Sequence, residues 1–281
     1  MGEALWPGKA HEIFTNWADD RNVKINGVAP ARFAGRGLGI AAKRKIQVAL
    51  SEPDHVYKYM NIYSYSDRLQ AGEELVTVPS SALLTTDSIP APFKALHGDI
   101  TAHGLLASFL AFGDPKDLSQ YASWIATWPS PQDFADSMPI MWPPSVTKTV
   151  YRNGYDKETL PSTLGFRPLP PGIGGHWGTI YLHDTLGGPN PGLLAKQEEK
   201  SKKDWAKVSA VIFGADKERY LYYWLIVNTR TFYHELPGTK KMARDDCMAL
   251  CPFADYFNHA DEGVGSVPLV CEVGYAERWV V

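Results

Sequence analysis

Residues 253–263 read Phe-Ala-Asp-Tyr-Phe-Asn-His-Ala-Asp-Glu-Gly, and the rest of the chain is organised around this stretch. It directly follows the apolar run Met248–Cys251 and combines aromatic residues, an acid and the adjacent pair Asn258 and His259. Amide and imidazole side chains are costly to bury unless their donors and acceptors find partners. The segment therefore indicates either a fold that supplies those partners or a bound ligand that does.

The bulk composition is that of a folded globular protein. The chain has 281 residues, a length that is sufficient to bury a sizeable core. Its content of 44% hydrophobic and 21% charged residues is ordinary for a globular protein. A net charge of -3 gives no reason to expect nucleic-acid binding. No stretch reaches the roughly 18 to 20 apolar residues of a membrane helix, and charges within residues 1–21 argue against a signal peptide. We expect an intracellular monomer, in the cytoplasm or nucleus, that binds neither nucleic acid directly nor a membrane.

The three cysteines fit a reducing compartment rather than a disulfide framework. Cys247 and Cys251 lie four residues apart, but only Cys271 and His259 could complete a tetrahedral zinc set with them. Buried free thiols are the simpler interpretation. We therefore predict no metal site.

The N-terminal part predicts a helix followed by strands. Apolar side chains recur at helical spacing over residues 9–21, whereas Val28–Phe33 has an extended pattern and Glu73–Pro79 a short strand pattern. Between them, residues 35–40 read Gly-Arg-Gly-Leu-Gly-Ile, in which alternate glycines let the backbone bend sharply and approach another group closely. The spacing is not the dinucleotide-binding fingerprint. A plain hairpin corner and a ligand-binding loop both fit it.

The central region is helical in character. Apolar residues at three- and four-residue steps predict two amphipathic helices between Thr101 and Trp128. Proline and glycine predict linkers at 139–144 and 168–191. The charged run 196–208 predicts a helix with a solvated face.

The C-terminal part contains the longest helical pattern, Asp216–Leu236, which ends at Pro237 and carries Arg230 in its last turns. Taken alone, Arg230 is most simply a surface cation that interacts with the helix C-terminal dipole. Val267–Val273 then predicts a short strand.

The order of these motifs is more informative than any one of them. A Gly-Arg-Gly-Leu-Gly corner is followed by Ala-Gly-Glu-Glu-Leu-Val-Thr-Val-Pro at 71–79, a long helical region, Asn-Thr-Arg-Thr-Phe at 228–232 and Asp-Tyr-Phe-Asn-His at 255–259. This series resembles SET-domain protein-lysine methyltransferases over nearly the whole chain. Within them it is similar to the branch with the plant Rubisco large-subunit methyltransferase and the ribosomal-protein lysine methyltransferases, whose SET domain is split by a helical insert.

The resemblance implies an α+β fold with small twisted sheets, in which the Asn-His segment is threaded beside a late strand in a pseudoknot. The N-terminal part of the SET domain would span 9–85, the helical insert 86–245, and the start of the C-terminal part 246–281. Two tracts, 48–70 and 174–192, interrupt the usual sequence of the family, and we expect them to be insertions or retained intron sequence.

The resemblance also implies a binding site for S-adenosylmethionine that contains Gly37, Leu38, Arg230, Asp255, Asn258 and His259. In this assignment Arg230 meets the methionine portion, Asn258 and His259 contact the cofactor, and Asp255 helps to hold their segment. A guanidinium suits the carboxylate of an amino-acid tail. Glycines let the main chain approach a bulky cofactor.

The implied activity is transfer of a methyl group to a lysine amine of a non-histone protein, such as a ribosomal protein. Tyr256 and Phe257 could line the lysine channel, although ordinary core aromatics are the simpler interpretation. The alternative function is a non-catalytic protein-interaction module derived from a SET domain.

The chain departs from the family near its C-terminus. Complete members continue into a Gly-Glu-Glu segment ending in Tyr-Gly, whose tyrosine lines the methyl-transfer site, and then add a helical substrate-binding domain. Tyr275 follows Gly274 instead of preceding a glycine, so no catalytic tyrosine is assigned. We therefore expect an incomplete pseudoknot, no C-terminal substrate-binding domain, and weak or absent activity.

Overall fold

The computed structural model describes residues 4–33, 37–42, 74–142, 193–235, 243–257, 270–271 and 278–280. Helices and small antiparallel sheets make up these residues, so the expected α+β class is confirmed. The chain divides into two compact units, the first formed by Met1–Pro90, Asp114–Thr127 and Thr229–Val281, and the second by Ala91–Gly113 and Trp128–Asn228. The expected insert 86–245 therefore overlaps both units, because residues 114–127 cluster with the first.

The described strands belong to the first unit. They are β1 Ala4–Leu5, β2 Lys24–Ile25, β3 Val28–Phe33, β4 Gly37–Ala42, β5 Val76–Pro79, β6 Thr231–Tyr233, β7 Met248–Leu250, β8 Val270–Cys271 and β9 Arg278–Val280. The predicted strands at 28–33 and 73–79 are thus confirmed, the second with a later start. β8 confirms the strand predicted at 267–273 for residues 270–271, and the rest of that range lies outside the described residues.

Three separate sheets organise these strands. The first has the order β1-β3-β4, the second β2-β5-β9-β8, and the third pairs β6 with β7, all antiparallel. β3 and β4 form a hairpin in which Phe33 pairs with Gly37, whose φ of 78° is a conformation that glycine adopts readily. The hairpin interpretation of the glycine segment is therefore confirmed for its strands. Because β9 pairs with β5, segments from both ends of the sequence share one sheet.

The described α-helices are α1 Lys9–Asp19, α2 Ala91–His97, α3 Ala102–Phe112, α4 Pro115–Ser119, α5 Ala122–Ile125, α6 Pro131–Ser137, α7 Leu193–Val211 and α8 Lys217–Arg230. α1 confirms the predicted amphipathic helix, since Phe14, Trp17 and Ala18 lie buried along one side. This side packs against α5 in the first unit, where the rings of Phe14 and Trp124 stack with centroids 6.2 Å apart.

Two expectations for the helical region were wrong. α3 is not amphipathic, because every residue from Ala102 to Ala111 is buried. The second predicted helix is reduced to the short α5, which ends at Ile125. Periodicity had indicated one buried face, but it could not reveal that all sides of α3 would be covered.

The helix predicted over 216–236 was also wrong in its extent. α8 ends at Arg230, and Thr231–Tyr233 instead pairs with Met248–Leu250. Among the helices that the structure describes, the longest is therefore α7, with 19 residues. Threonine and aromatic residues favour strands when a partner strand is present, and only the tertiary fold supplies that partner.

Residues 48–70 and 174–192 lie outside the described residues. Among the described helices, none combines the length and the apolar character needed to cross a membrane.

Candidate functional site

An ion pair joins two of the predicted site residues in the first unit. Arg230 is the last residue of α8, and Asp255 lies in the short 3-10 turn Ala254–Tyr256. Arg230 Nε lies 3.5 Å from Asp255 Oδ2, with 22% of the arginine and 8% of the aspartate side chain exposed. Arg230 is therefore more than a surface cation near a helix end, because it is paired with a buried carboxylate.

Burial dominates the electrostatics of Asp255. Desolvation raises the pKa of this carboxyl to about 6, while the Arg230 guanidinium and, more weakly, the Trp124 side chain favour its charged form. Asp255 Oδ1 is buried and has no hydrogen-bond partner in the part of the chain that the structure describes. The contacts with Arg230 and Trp124 thus offset only part of the desolvation of the carboxylate, which makes the ionised form costly in a core.

Arg230 retains hydrogen-bonding capacity. Its Nη1 donates to Thr229 Oγ1 at 3.2 Å, and its Nε faces Asp255. A guanidinium carries five N–H groups, so others remain without a hydrogen bond to the described residues. A fork of N–H donors held in place by a carboxylate is suited to an anionic group such as a carboxylate.

The strand with the other described site residues lies close to this turn. β4, which carries Gly37 and Leu38, packs against Ala254–Tyr256. A Cβ added to Gly37 would meet nothing within 4 Å, so there is open space beside this backbone. The structure thus brings together the glycine strand and the turn that holds Asp255. Asn258 and His259 lie outside the described residues, and their assigned contacts stay predictions.

Aromatic packing holds the Asp255 turn in place. Phe253 is fully buried and adopts φ 68° and ψ -31°, a region that bulky residues rarely occupy. Its ring stacks on Phe14 with a centroid separation of 5.2 Å and meets Tyr256 edge-on at 5.3 Å. Tyr256 is buried in this cluster, as the core interpretation predicted, and burial raises the pKa of its hydroxyl.

His11 is a neighbour of the site that sequence reasoning missed. Its Nδ1 lies 2.7 Å from the Tyr256 hydroxyl, and both side chains are buried. Burial and the nearby Arg32 lower the pKa of the imidazole. The signal was present in the sequence, because His11 precedes Phe14 and Ala18 at three- and seven-residue steps on the apolar side of α1.

A second buried polar cluster lies in the second unit. Asp204 is 1% exposed and accepts hydrogen bonds from Thr101 Oγ1 at 2.9 Å and from Trp224 Nε1 at 3.2 Å. The expectation that the charged run 196–208 is simply solvated is therefore wrong at this position. His103 stacks on Trp224 and bonds its carbonyl at 3.0 Å, and burial lowers the pKa of His103 to about 3. These contacts satisfy one another and stabilise the helices.

The described residues contain no group of three or more histidine, cysteine, aspartate or glutamate side chains placed to hold a metal ion. Cys247 and Cys251 are buried free thiols, as the simpler interpretation of the cysteines predicted.

No known family model matches this chain, and no curated protein has significant similarity to it.

Proposed function

We propose that the first unit binds S-adenosylmethionine and that the chain is a protein-lysine methyltransferase of the SET-domain class. Its substrate would be a lysine of a non-histone protein such as a ribosomal protein. The observation that carries the proposal is the pairing of Arg230 with Asp255 at 3.5 Å, because it joins two motifs that the family resemblance assigns to one cofactor site.

The residues present fit the amino-acid end of this cofactor. Arg230 is part-exposed and keeps N–H donors without a hydrogen bond to the described residues, which suits the carboxylate of a methionine tail. Open space beside Gly37 allows a bulky ligand to approach the main chain of β4.

When bound, S-adenosylmethionine supplies an electrophilic methyl group for the lysine amine. The role of this chain is to orient the two partners. Arg230 would hold the carboxylate of the cofactor, and Asp255 would fix the direction of the guanidinium. The buried rings of Phe14, Phe253 and Tyr256 exclude water from the base of the turn.

The test is calorimetric titration of the full chain with S-adenosylmethionine. Arg230→Ala removes a charge-assisted hydrogen bond to the ligand and is expected to raise Kd by about tenfold or more. Arg219→Ala is the matched control, because Arg219 is an exposed arginine near the other end of α8. Absence of binding by the wild-type chain would refute the proposal and favour a non-catalytic interaction module.

Activity is tested by incubating the chain with methyl-labelled cofactor and purified ribosomal subunits. Mass spectrometry then locates the modified residues. In line with the weak activity expected from the sequence, a low level of label on lysine that disappears with Arg230→Ala but persists with Arg219→Ala is the expected result. Cofactor binding without any lysine label would leave the binding site standing and remove the assigned reaction.

A further inference from the structure

We propose that Tyr256 is a positioning residue whose hydroxyl, hydrogen-bonded to His11, holds Asp255 against Arg230 and so sets the direction of the guanidinium. The inference deepens the proposed function and rests on it, because the consequence for a ligand is read as affinity for S-adenosylmethionine.

The hydrogen bond ties together two distant parts of the sequence. His11 on α1 and Tyr256 in the turn are 245 residues apart in sequence, and their polar atoms lie 2.7 Å apart in a buried environment. Burial raises the pKa of the phenol and lowers that of the imidazole, so both groups are neutral near neutral pH. A neutral imidazole with its proton on Nε2 accepts the phenolic hydrogen at Nδ1.

The turn needs such a tie because its backbone is strained. Phe253 has φ 68° although it is a bulky residue, and such conformations persist only when the surroundings over-determine them. Ring packing against Phe14 and Tyr256 provides part of that constraint. The hydroxyl of Tyr256 adds a directional contact, which ring packing lacks.

The side chain of Asp255 has few anchors of its own. Its Oδ2 faces Arg230, and the Trp124 side chain and the turn backbone add weaker interactions with the carboxylate. The position of the carboxylate therefore depends in part on the backbone of the turn. Tyr256 is the next residue, so a shift of its ring moves the carboxylate relative to the guanidinium.

Tyr256→Phe keeps the ring and removes the hydroxyl with its contacts to His11 and Thr127, and His11→Gln below tests the contact to His11 alone. We expect Kd for S-adenosylmethionine to rise about three- to tenfold, the effect of losing one buried hydrogen bond near the site. Tyr222→Phe is the matched control, because its hydroxyl donates to the Pro129 carbonyl at 2.9 Å within the second unit. The control is expected to leave Kd unchanged within about twofold.

A second readout needs no ligand. The carboxyl of Asp255 is titrated by carbon-13 NMR in the wild-type chain and in Tyr256→Phe, with Asp255→Asn to assign the signal. Release of the turn admits water to the carboxyl, so its pKa is expected to fall from about 6 toward the ordinary 3.8. His11→Gln removes the imidazole from the other side of the bond and is expected to lower this pKa as well.

The two readouts separate the two proposals. An unchanged Asp255 pKa in both Tyr256→Phe and His11→Gln overturns the positioning role, even if the wild-type chain binds cofactor. If the variants lower the pKa of Asp255 but the wild-type chain binds no cofactor, the positioning role is supported and the proposed function is refuted. A Kd for Tyr256→Phe equal to that of the wild type shows that the hydrogen bond does not act on the ligand, and also overturns the inference.

Discussion

Replacement of Asp255 by asparagine should change how the stability of the first unit depends on pH. The wild-type carboxyl has a pKa raised to about 6 because it is buried, with only 8% of the side chain exposed. Asparagine has the same shape and cannot ionise. The comparison therefore removes the ionisation of one group while preserving the packing of the turn.

The sign and the size follow from the linkage between protonation and folding. Below the ordinary value of 3.8 the carboxyl is neutral in both the folded and the unfolded state, and it imposes no penalty. As the pH rises from 3.8 through about 6, the unfolded chain ionises first, so the folded state loses stability. A shift of about two pKa units corresponds to about 3 kcal/mol of folded-state stability. This contribution is fully lost once the pH exceeds the pKa of the folded state.

The assay is urea denaturation of the wild type and Asp255→Asn at several pH values between about 4 and 7.5. The free energy of unfolding of the variant minus that of the wild type should increase by about 2.5 kcal/mol over this range, because part of the effect already appears below about pH 4. Asp19→Asn changes the net charge equally at an exposed position on α1 and serves as the control. A difference for Asp255→Asn that stays constant with pH would refute the reasoning, because Asp255 would then ionise as an ordinary carboxyl.

Three further predictions concern the buried cluster of the second unit. Asp204→Asn turns one acceptor into an N–H2 group that faces the hydroxyl of Thr101 or the indole N–H of Trp224, so urea denaturation should show a loss of about 1–3 kcal/mol. Gly104→Ala usually favours a helix, but here its Cβ would lie 2.8 Å from Asp204 Cγ, and about 1–3 kcal/mol should be lost. Because burial lowers the pKa of His103 from 6.5 to about 3, stability present above pH 6.5 should be lost as the pH falls toward 3, and His103→Gln should flatten this decline in Tm.

Each of these predictions has a clear contrary outcome. Glu198→Gln on the exposed side of α7 should change stability by less than about 0.5 kcal/mol, and an equally small effect of Asp204→Asn would contradict its burial. The cost of Gly104→Ala should be smaller in an Asp204→Ala background, where the clash is relieved, and additive effects would contradict the proposed contact. Parallel acid profiles of Tm for the wild type and His103→Gln would show that His103 is not held neutral.

Hydrophobic periodicity in the sequence predicted the elements whose conformation depends mainly on neighbouring residues. The apolar spacing in 9–21 indicated α1, and Val28–Phe33 indicated β3, because a helix face and an extended run can be recognised from neighbouring residues alone. The end of α8 could not be predicted in this way. Thr231 leaves the helix because Leu250 lies opposite it in a strand, and that partner is 19 residues away in sequence.

In the candidate site, too, the sequence predicted the residues involved but not the contacts between them. The order of the motifs singled out Arg230 and Asp255, but not the 3.5 Å contact between them. Nor could the sequence indicate that His11 would bond Tyr256, because a single histidine on an apolar helix face has many possible partners. Burial of Asp204 was hidden for a similar reason, since the surrounding lysines and glutamates are typical of a solvated helix.

The sequence by itself determined the α+β class, the first helix, the early strands and the residues that deserve testing as a cofactor site. Only the tertiary structure decided that Asp255 is buried beside Arg230, that Phe253 adopts a strained backbone, and that the second unit encloses a carboxylate. The physical reason is that propensity and periodicity act between neighbouring residues. Burial and the pKa of a side chain depend instead on whatever the folded chain places around it.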